Sequence, residues 1–267
     1  MGSSESSLQA DFQKDGFYIL EEPALDADLV NRARAGMDLL REGVYDTGTP
    51  HGGGKWKPGD DPNSLCKMEI PQLGNLAIRE LITSTEIGRL AAAATGAAMI
   101  QVWWVQLLYK PPTPDDEQAP NRVGWHQDWN YWKPSWDDGS ELLTAWVALC
   151  DVEVDSGPMR FVRGSHGWGH VEGSDFYSQE SGQGGIEPPQ GSEWEEVPAP
   201  MPGGALSLHD KLTLHGSDIN RSAQPRRSLA IHLRTEKSQP RGNPKEGTCR
   251  YMEEEEICPV IYGDPSL

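Results

Sequence analysis

The chain runs to 267 residues, 36% hydrophobic with ten Trp, which suffices for one barrel-sized domain with loop insertions. A net charge of −18 argues against nucleic acid or an anionic membrane as partner, because both would be repelled. Cys66, Cys150, Cys249 and Cys258 have no metal-ligand spacing; with no apolar run of transmembrane length and a polar start over 1–7, they read as reduced thiols in the cytoplasm.

In chain order, residues 1–10 read as a flexible N-terminus and 11–267 as one domain. A short strand follows Asp15. Leu29, Ala33, Met37 and Leu40 at helical spacing predict a helix from Leu25 to Glu42, with Asp26 and Asp28 near its start. A second helix is predicted from Asn75 to Thr95 through Ile78, Leu81, Ile82, Leu90 and Ala94, weakened in its middle by Gly88. Strand patterns then dominate: Met99 to Tyr109, Leu142 to Asp151, Met159 to Val162, Ala205 to His209 and Arg226 to Thr235. Three irregular stretches interrupt them, at 44–65, 111–122 and 167–203. The third is far longer than an ordinary connection and reads as either a functional lid or a disordered segment; Trp168, Phe176, Tyr177 and Trp194 could pack it over a mouth, which favours the lid. Short strands punctuated by Gly and Pro predict a mostly β fold with flanking α-helices, arranged as a double-sheet jelly roll.

The chemistry centres on Trp125-His126-Gln127-Asp128-Trp129. On an extended segment His126 and Asp128 point to one side and can grip one cation, with a third ligand from elsewhere. Two imidazoles and a carboxylate on one face of Fe(II) leave the other positions open for a cosubstrate and O2. Downstream, His215 precedes Arg226, which starts an alternating run. Leu229, Ile231 and Leu233 fall on one face; Arg226, Ser228, Ala230 and His232 fall on the other. Arg226 and Ser228 facing a barrel interior would clamp a carboxylate, the guanidinium in bidentate fashion. The plain alternative is a solvated arginine on an edge strand. His209 competes with His215 for the third ligand position; the spacing to Arg226 favours His215 and leaves His209 packed beside the site. His166 and His232 read as structural.

Together, His126, Asp128, His215, Arg226 and Ser228 resemble the iron(II)/2-oxoglutarate dioxygenases, and within them the phytanoyl-CoA dioxygenase-like (PhyH) family. Residues 15–20 look like that family's N-terminal Asp-Gly-aromatic strand, 142–149 like its Trp-containing strand, and 156–166 like its Gly-Pro…Gly-Ser-His turn. The resemblance covers about residues 10–235; Arg163 and Gly204 depart from the usual Pro and Asp, both in turns. It implies a double-stranded β-helix, cupin-like core and Fe(II) held by His126, Asp128 and His215. It further implies 2-oxoglutarate and O2 as cosubstrates, and hydroxylation of an unactivated C–H bond with release of succinate and CO2. By position it implies cosubstrate contacts at Lys67, Leu108, Trp146 and Ser217. Gln106, on the face of Leu108, is a further polar candidate.

Trp125, Trp129, Tyr131 and Trp132 crowd the metal motif and either line an apolar substrate pocket or serve as ordinary core. Desaturation, epimerisation or cyclisation on the same scaffold stay open. So does a non-catalytic, cupin-like metal- or ligand-binding barrel, which leaves the Arg226/Ser228 clamp without a purpose. No Gly-x-Ser-x-Gly, phosphate-binding loop or dinucleotide fingerprint occurs. The charge of −18 favours a small free metabolite over a coenzyme A thioester as substrate, and the oligomeric state is not readable.

Overall fold

The computed structural model describes residues 2–113, 121–243 and 247–267, with side chains from residue 7 onward. Most of the predicted 111–122 insertion lies outside the described residues. The helices are α1 (Gly2–Asp15), α2 (Ala27–Arg41), α3 (Leu76–Ile82), α4 (Thr85–Thr95) and the single turn α5 (Trp129–Trp132). The strands are β1 (Phe17–Ile19), β2 (Gly53–Gly54), β3 (Cys66–Glu69), β4 (Met99–Lys110), β5 (Val123–His126), β6 (Leu142–Ala148), β7 (Met159–Val162), β8 (Glu196–Ala199), β9 (Leu206–Asp210), β10 (His215–Ser217), β11 (Arg226–Thr235) and β12 (Val260–Gly263). All pair antiparallel, in a major sheet ordered β1-β9-β6-β11-β4-β3-β2, with β12 also on β4, and a minor sheet ordered β5-β10-β7-β8. Two open, facing sheets make the expected jelly roll.

Period-two alternation divides the core. On β11, Leu229, Ile231 and Leu233 join Val105 and Leu107 of β4 and Ala145 and Val147 of β6 beneath the helices. The opposite face, with Trp146, Ala148 and Ala230, meets Val123, Met159 and Phe161 of the minor sheet. The helices lie outside the major sheet, as the spacing predicts. Asp26 caps α2 by accepting from the Leu29 N–H at 3.0 Å, and Asn75 caps α3 by accepting from Ile78 at 3.0 Å.

Two helix expectations change. The predicted helix over 75–95 breaks at Thr83–Ser84 into α3 and α4, whereas Gly88 sits inside α4. A Cβ at Gly88 would stand 2.3 Å from the Ile261 carbonyl oxygen, so its lack of a side chain lets β12 lie against α4. The N-terminus, expected to be flexible over 1–10, is helical from Gly2, and Leu8 and Phe12 bury in the helix-covered core with α1 packed on α4. Two apolar side chains at i and i+4 give the short helix a docked face.

Candidate metal centre

Two rows of side chains, one from each sheet, face each other and build the site with Asp128 between them. In the minor sheet His126 of β5 and His215 of β10 are register partners, with ring centroids 4.2 Å apart. In the major sheet His209, Thr144 and His232 stand abreast on β9, β6 and β11 and face them. Asp128 lies between. It departs from the expected extended geometry: β5 ends at His126, and Asp128 is αR (φ −56°, ψ −32°) at the head of α5. The turn swings the carboxylate to where Oδ1 is 3.9 Å from His126 Nε2 and 3.8 Å from His215 Nε2. All three residues are buried, and their donor atoms lie within 4.8 Å of one another, close enough to hold one metal ion.

Hydrogen bonds fix which atoms face inward. His126 Nδ1 is 2.8 Å from the Gly124 carbonyl oxygen and His215 Nδ1 is 2.9 Å from that of Thr213, so each Nδ1–H donates and each Nε2 lone pair is free. Thr144 Oγ1 donates to Asp128 Oδ2 at 2.7 Å and accepts from His232 Nδ1 at 2.8 Å. His232, expected to be structural only, thus orients the carboxylate through Thr144. Burial lowers the pKa of both His126 and His215, for His215 with the help of the neighbouring His126 and His209, which keeps the imidazoles neutral and ready to ligate. Burial opposes ionisation of Asp128, and attraction to whichever of His215, His209 and His232 carries a proton outweighs it and holds the carboxyl well below its usual range. His209 Nε2 lies 3.3 Å from Asp128 Oδ2, yet neither of its ring nitrogens makes a hydrogen bond of good geometry.

A narrow cavity runs from these residues past Leu108, Trp146 and Met159 to Arg226. Arg226 is 1% exposed; Nη1 donates to the Gly157 carbonyl at 2.6 Å, Nε is buried without a partner among the described residues, and the guanidinium lies 5.1 Å from the Trp146 ring. Burial pushes Arg226 down to about 10, so it stays cationic at neutral pH. No carboxylate among the described residues pairs with it. Its register partner Lys110 is also buried; its Nζ donates to Ser217 Oγ at 2.7 Å and to the carbonyls of Ser217 and Asp218. Burial, then the nearby Arg226, holds Lys110 well below its ordinary value.

The match to known proteins agrees with this geometry. Residues 12–228 match the phytanoyl-CoA dioxygenase (PhyH) family. The chain belongs to that family. A probable alpha-ketoglutarate-dependent hypophosphite dioxygenase of Stutzerimonas stutzeri is 32% identical over 180 residues, which cover 66% of this chain and 59% of that protein. The chain therefore matches less than two thirds of that relative's length. The non-haem alpha-ketoglutarate-dependent carbocyclase SnoK from nogalamycin biosynthesis shares the fold with a TM-score of 0.70 at 21% identity, over 96% of this chain and 95% of that one. The epimerase SnoN, solved with Fe3+, alpha-ketoglutarate and nogalamycin RO, shares it with a TM-score of 0.67 at 23% identity, over 91% and 88%.

Within this PhyH scaffold the expected contacts divide. Gln106, Leu108, Trp146 and Arg226 line the inner cavity, with His209, Thr144, Ala230 and His232. Ser228 does not line it; its hydroxyl is 3.4 Å from the Leu108 carbonyl within the sheet. Ser217 is engaged by Lys110. Lys67 lies in an outer chamber of about 290 Å3, with Glu69, Trp104, Tyr131, Trp132 and Tyr177; this chamber shares Gln106, His126, Asp128 and Phe176 with the inner cavity. Of the expected substrate-pocket aromatics, Tyr131 and Trp132 line that chamber. Trp125, one residue from His126 on the strand, faces the other way and stacks edge-on against Trp194 at 5.1 Å. Trp129 is buried beneath Lys211, whose Nζ lies 4.2 Å from its ring.

The 167–203 segment covers the site in part. Gly124 donates to the Phe176 carbonyl and Trp125 accepts from Asp175, which adds this segment to the edge of β5 and sets Phe176 over both cavities. A Cβ at Gly124 would stand 2.3 Å from the Asp175 carbonyl oxygen, so glycine permits this close approach. Trp168 and Trp194 pack instead around Trp125 on the outer side.

Proposed function

We propose that this chain is an Fe(II)- and 2-oxoglutarate-dependent oxygenase that hydroxylates an unactivated C–H bond of a small-molecule metabolite. The observation that carries this reading is one cavity with two ends. At one end stand three buried donor atoms, His126 Nε2, Asp128 Oδ1 and His215 Nε2, within 4.8 Å of one another. At the other stands a buried guanidinium without a carboxylate partner. Neutral imidazoles with inward lone pairs beside an ionised carboxylate suit a divalent iron, and the unpartnered Nε of Arg226 suits a ligand carboxylate. A barrel that merely stores a ligand has no need of both.

In this reading His126, Asp128 and His215 hold the iron, and Thr144 with His232 fixes the carboxylate that binds it. Iron, when bound, supplies O2 activation coupled to the decarboxylation of 2-oxoglutarate to succinate and CO2. Arg226 takes the far carboxylate of the cosubstrate, with its plane set against Trp146. Phe176 excludes water from above, and the chamber beyond it receives the substrate. The family match supports oxygenase chemistry, while fold likeness to an epimerase and a carbocyclase bears on architecture alone. No helix among the described residues is long and apolar enough to cross a membrane.

The test is Fe(II)-dependent conversion of 2-oxoglutarate to succinate by the purified protein, slow without substrate and stimulated by it. The reading fails if iron-loaded protein neither binds 2-oxoglutarate nor releases succinate.

A further inference from the structure

The outer chamber has a chemistry of its own, and what it selects rests on the reading above, since only beside iron and cosubstrate does it receive a substrate. Its walls are aromatic: Trp104, Tyr131, Trp132, Phe176 and Tyr177, with Trp103. A register shift where β4 meets β11 leaves Trp103 without a strand partner between Val102 and Trp104, so two consecutive tryptophans reach one chamber. At about 290 Å3 it stands at the lower edge of the ~300–1,000 Å3 typical of small-molecule pockets.

Apart from Asp128, the charged side chains lining it are Lys67 and Glu69, which pair with each other at 3.3 Å. Lys55 and Arg250 stack on Tyr177 and Trp104 but do not line the chamber. Glu69 is well supplied with donors: Trp104 Nε1 donates at 2.6 Å and Gln106 Nε2 at 3.5 Å, besides Lys67. Lys67 is not supplied in return. Its side chain is 14% exposed, its ammonium lies 4.4 Å from the centre of the Phe176 ring, and among the described residues its polar contact is the Glu69 pair alone. The chamber therefore offers N–H donors from a cation whose charge is already balanced, and mostly aromatic side chains on its remaining walls, with Gln106 and Thr248 the neutral polar side chains beside them.

An entering anion would be stripped of water and placed beside the Glu69 carboxylate, a cost that a compensated Lys67 does not offset. A neutral oxygen acceptor meets no such repulsion and gains the spare Lys67 donor. An anion as small as hypophosphite would also leave the aromatic walls untouched. We propose that the chamber selects an uncharged, ring-bearing molecule whose carbonyl or hydroxyl oxygen accepts a hydrogen bond from Lys67, and that it rejects oxyanions.

The experiment is a tryptophan-fluorescence titration of protein loaded with Fe(II) and 2-oxoglutarate under anaerobic conditions, using 2-acetylnaphthalene, 2-naphthoate, naphthalene and hypophosphite. The ketone is expected to bind about tenfold tighter than the isosteric carboxylate, a difference of ~1.4 kcal/mol, and hypophosphite not to bind. Glu69→Gln uncovers the Lys67 charge and should close the gap between ketone and carboxylate to within about threefold. Lys67→Met should weaken the ketone by about fivefold or more while leaving naphthalene, which has no oxygen, unchanged; that control reports an intact chamber. Equal binding of ketone and carboxylate to the unaltered protein, no binding of any ring probe, or an unchanged gap in Glu69→Gln overturns the proposal. Succinate release stimulated by hypophosphite overturns it too. Basal succinate release without any probe tests the underlying oxygenase reading separately: its failure beside the expected probe ranking removes the chemistry and not the selectivity, and its success beside the opposite ranking removes the selectivity alone.

Discussion

Arg226→Met separates cosubstrate recognition from folding, because Arg226 is a buried cation that the folded protein does not itself neutralise. Removing one member of a buried, hydrogen-bonded charge pair costs ~2–5 kcal/mol, so 2-oxoglutarate should bind about thirtyfold weaker or worse. Stability should respond in the opposite sense to intuition. Burial depresses the pKa of Arg226 to about 10, and a base whose folded value lies below its unfolded value destabilises the fold at every pH below the folded value. At neutral pH that cost is fully present, on the order of 3 kcal/mol; it fades as pH rises from the folded value towards the unfolded one and is gone above it. Met removes it, while the lost donor to the Gly157 carbonyl at 2.6 Å gives back roughly 1–3 kcal/mol. The apo protein should then melt within a few degrees of the unaltered one, with iron content unchanged. Calorimetric titration of 2-oxoglutarate, an iron assay and a thermal melt measure the three terms. Cosubstrate affinity within about threefold of the original, or a melting point lower by more than ~10 °C, refutes the argument.

Further outcomes follow from the same geometry. His126→Ala, Asp128→Ala and His215→Ala should each abolish iron retention after reconstitution and gel filtration, whereas His209→Ala, outside the triad, should keep most of it; iron loss confined to His209→Ala would reassign the ligands. Lys110→Met leaves three oxygens around Ser217 and Asp218 without their buried donor, and should lower stability by about 2–4 kcal/mol in a denaturant titration. With Asp128 supplying a carboxylate oxygen to the metal, chloride has no vacated protein position to occupy; product mass spectra at high chloride should show added oxygen, and a dominant chlorinated product would contradict this.

The sequence carries the site where local periodicity carries it. Alternation on β11 sorts Arg226, Ser228, Ala230 and His232 from Leu229, Ile231 and Leu233, and the structure keeps that division. The same rule, applied one strand further, would have placed Trp125 opposite His126, and Lys110 in line with Gln106 and Leu108 beside Arg226. Asp128 departs from the extended geometry for another reason. A His-x-Asp spacing looks the same on a strand and on a strand that turns into a helix, and tertiary contacts hold the turn: Trp129 N–H donates to the Lys211 carbonyl, Gln127 Nε2 to the carbonyls of Gly169 and Leu212, and Thr144 to Asp128. The Thr144–His232 relay was not legible at all, because strand register between β6 and β11 is a property of the assembled sheet.

Charge behaves differently at the two scales of this molecule. The chain as a whole is at −18, yet beside the buried Arg226 stands a second buried cation, Lys110, its register partner on β4. At physiological salt the Debye length is ~8 Å, so an anion inside the cavity feels these nearby cations, while an anion still in solvent feels the acidic surface. The two fields should separate kinetically. Raising ionic strength from low to physiological should speed 2-oxoglutarate association, because it screens the outer repulsion, and leave dissociation almost unchanged, because the Arg226 contact is buried. Stopped-flow mixing of the Fe(II) protein with 2-oxoglutarate across a salt series reads both rates. If association slows as salt is added, the cations around Arg226 project their field beyond the cavity mouth, and the outer surface is not what the incoming anion meets first.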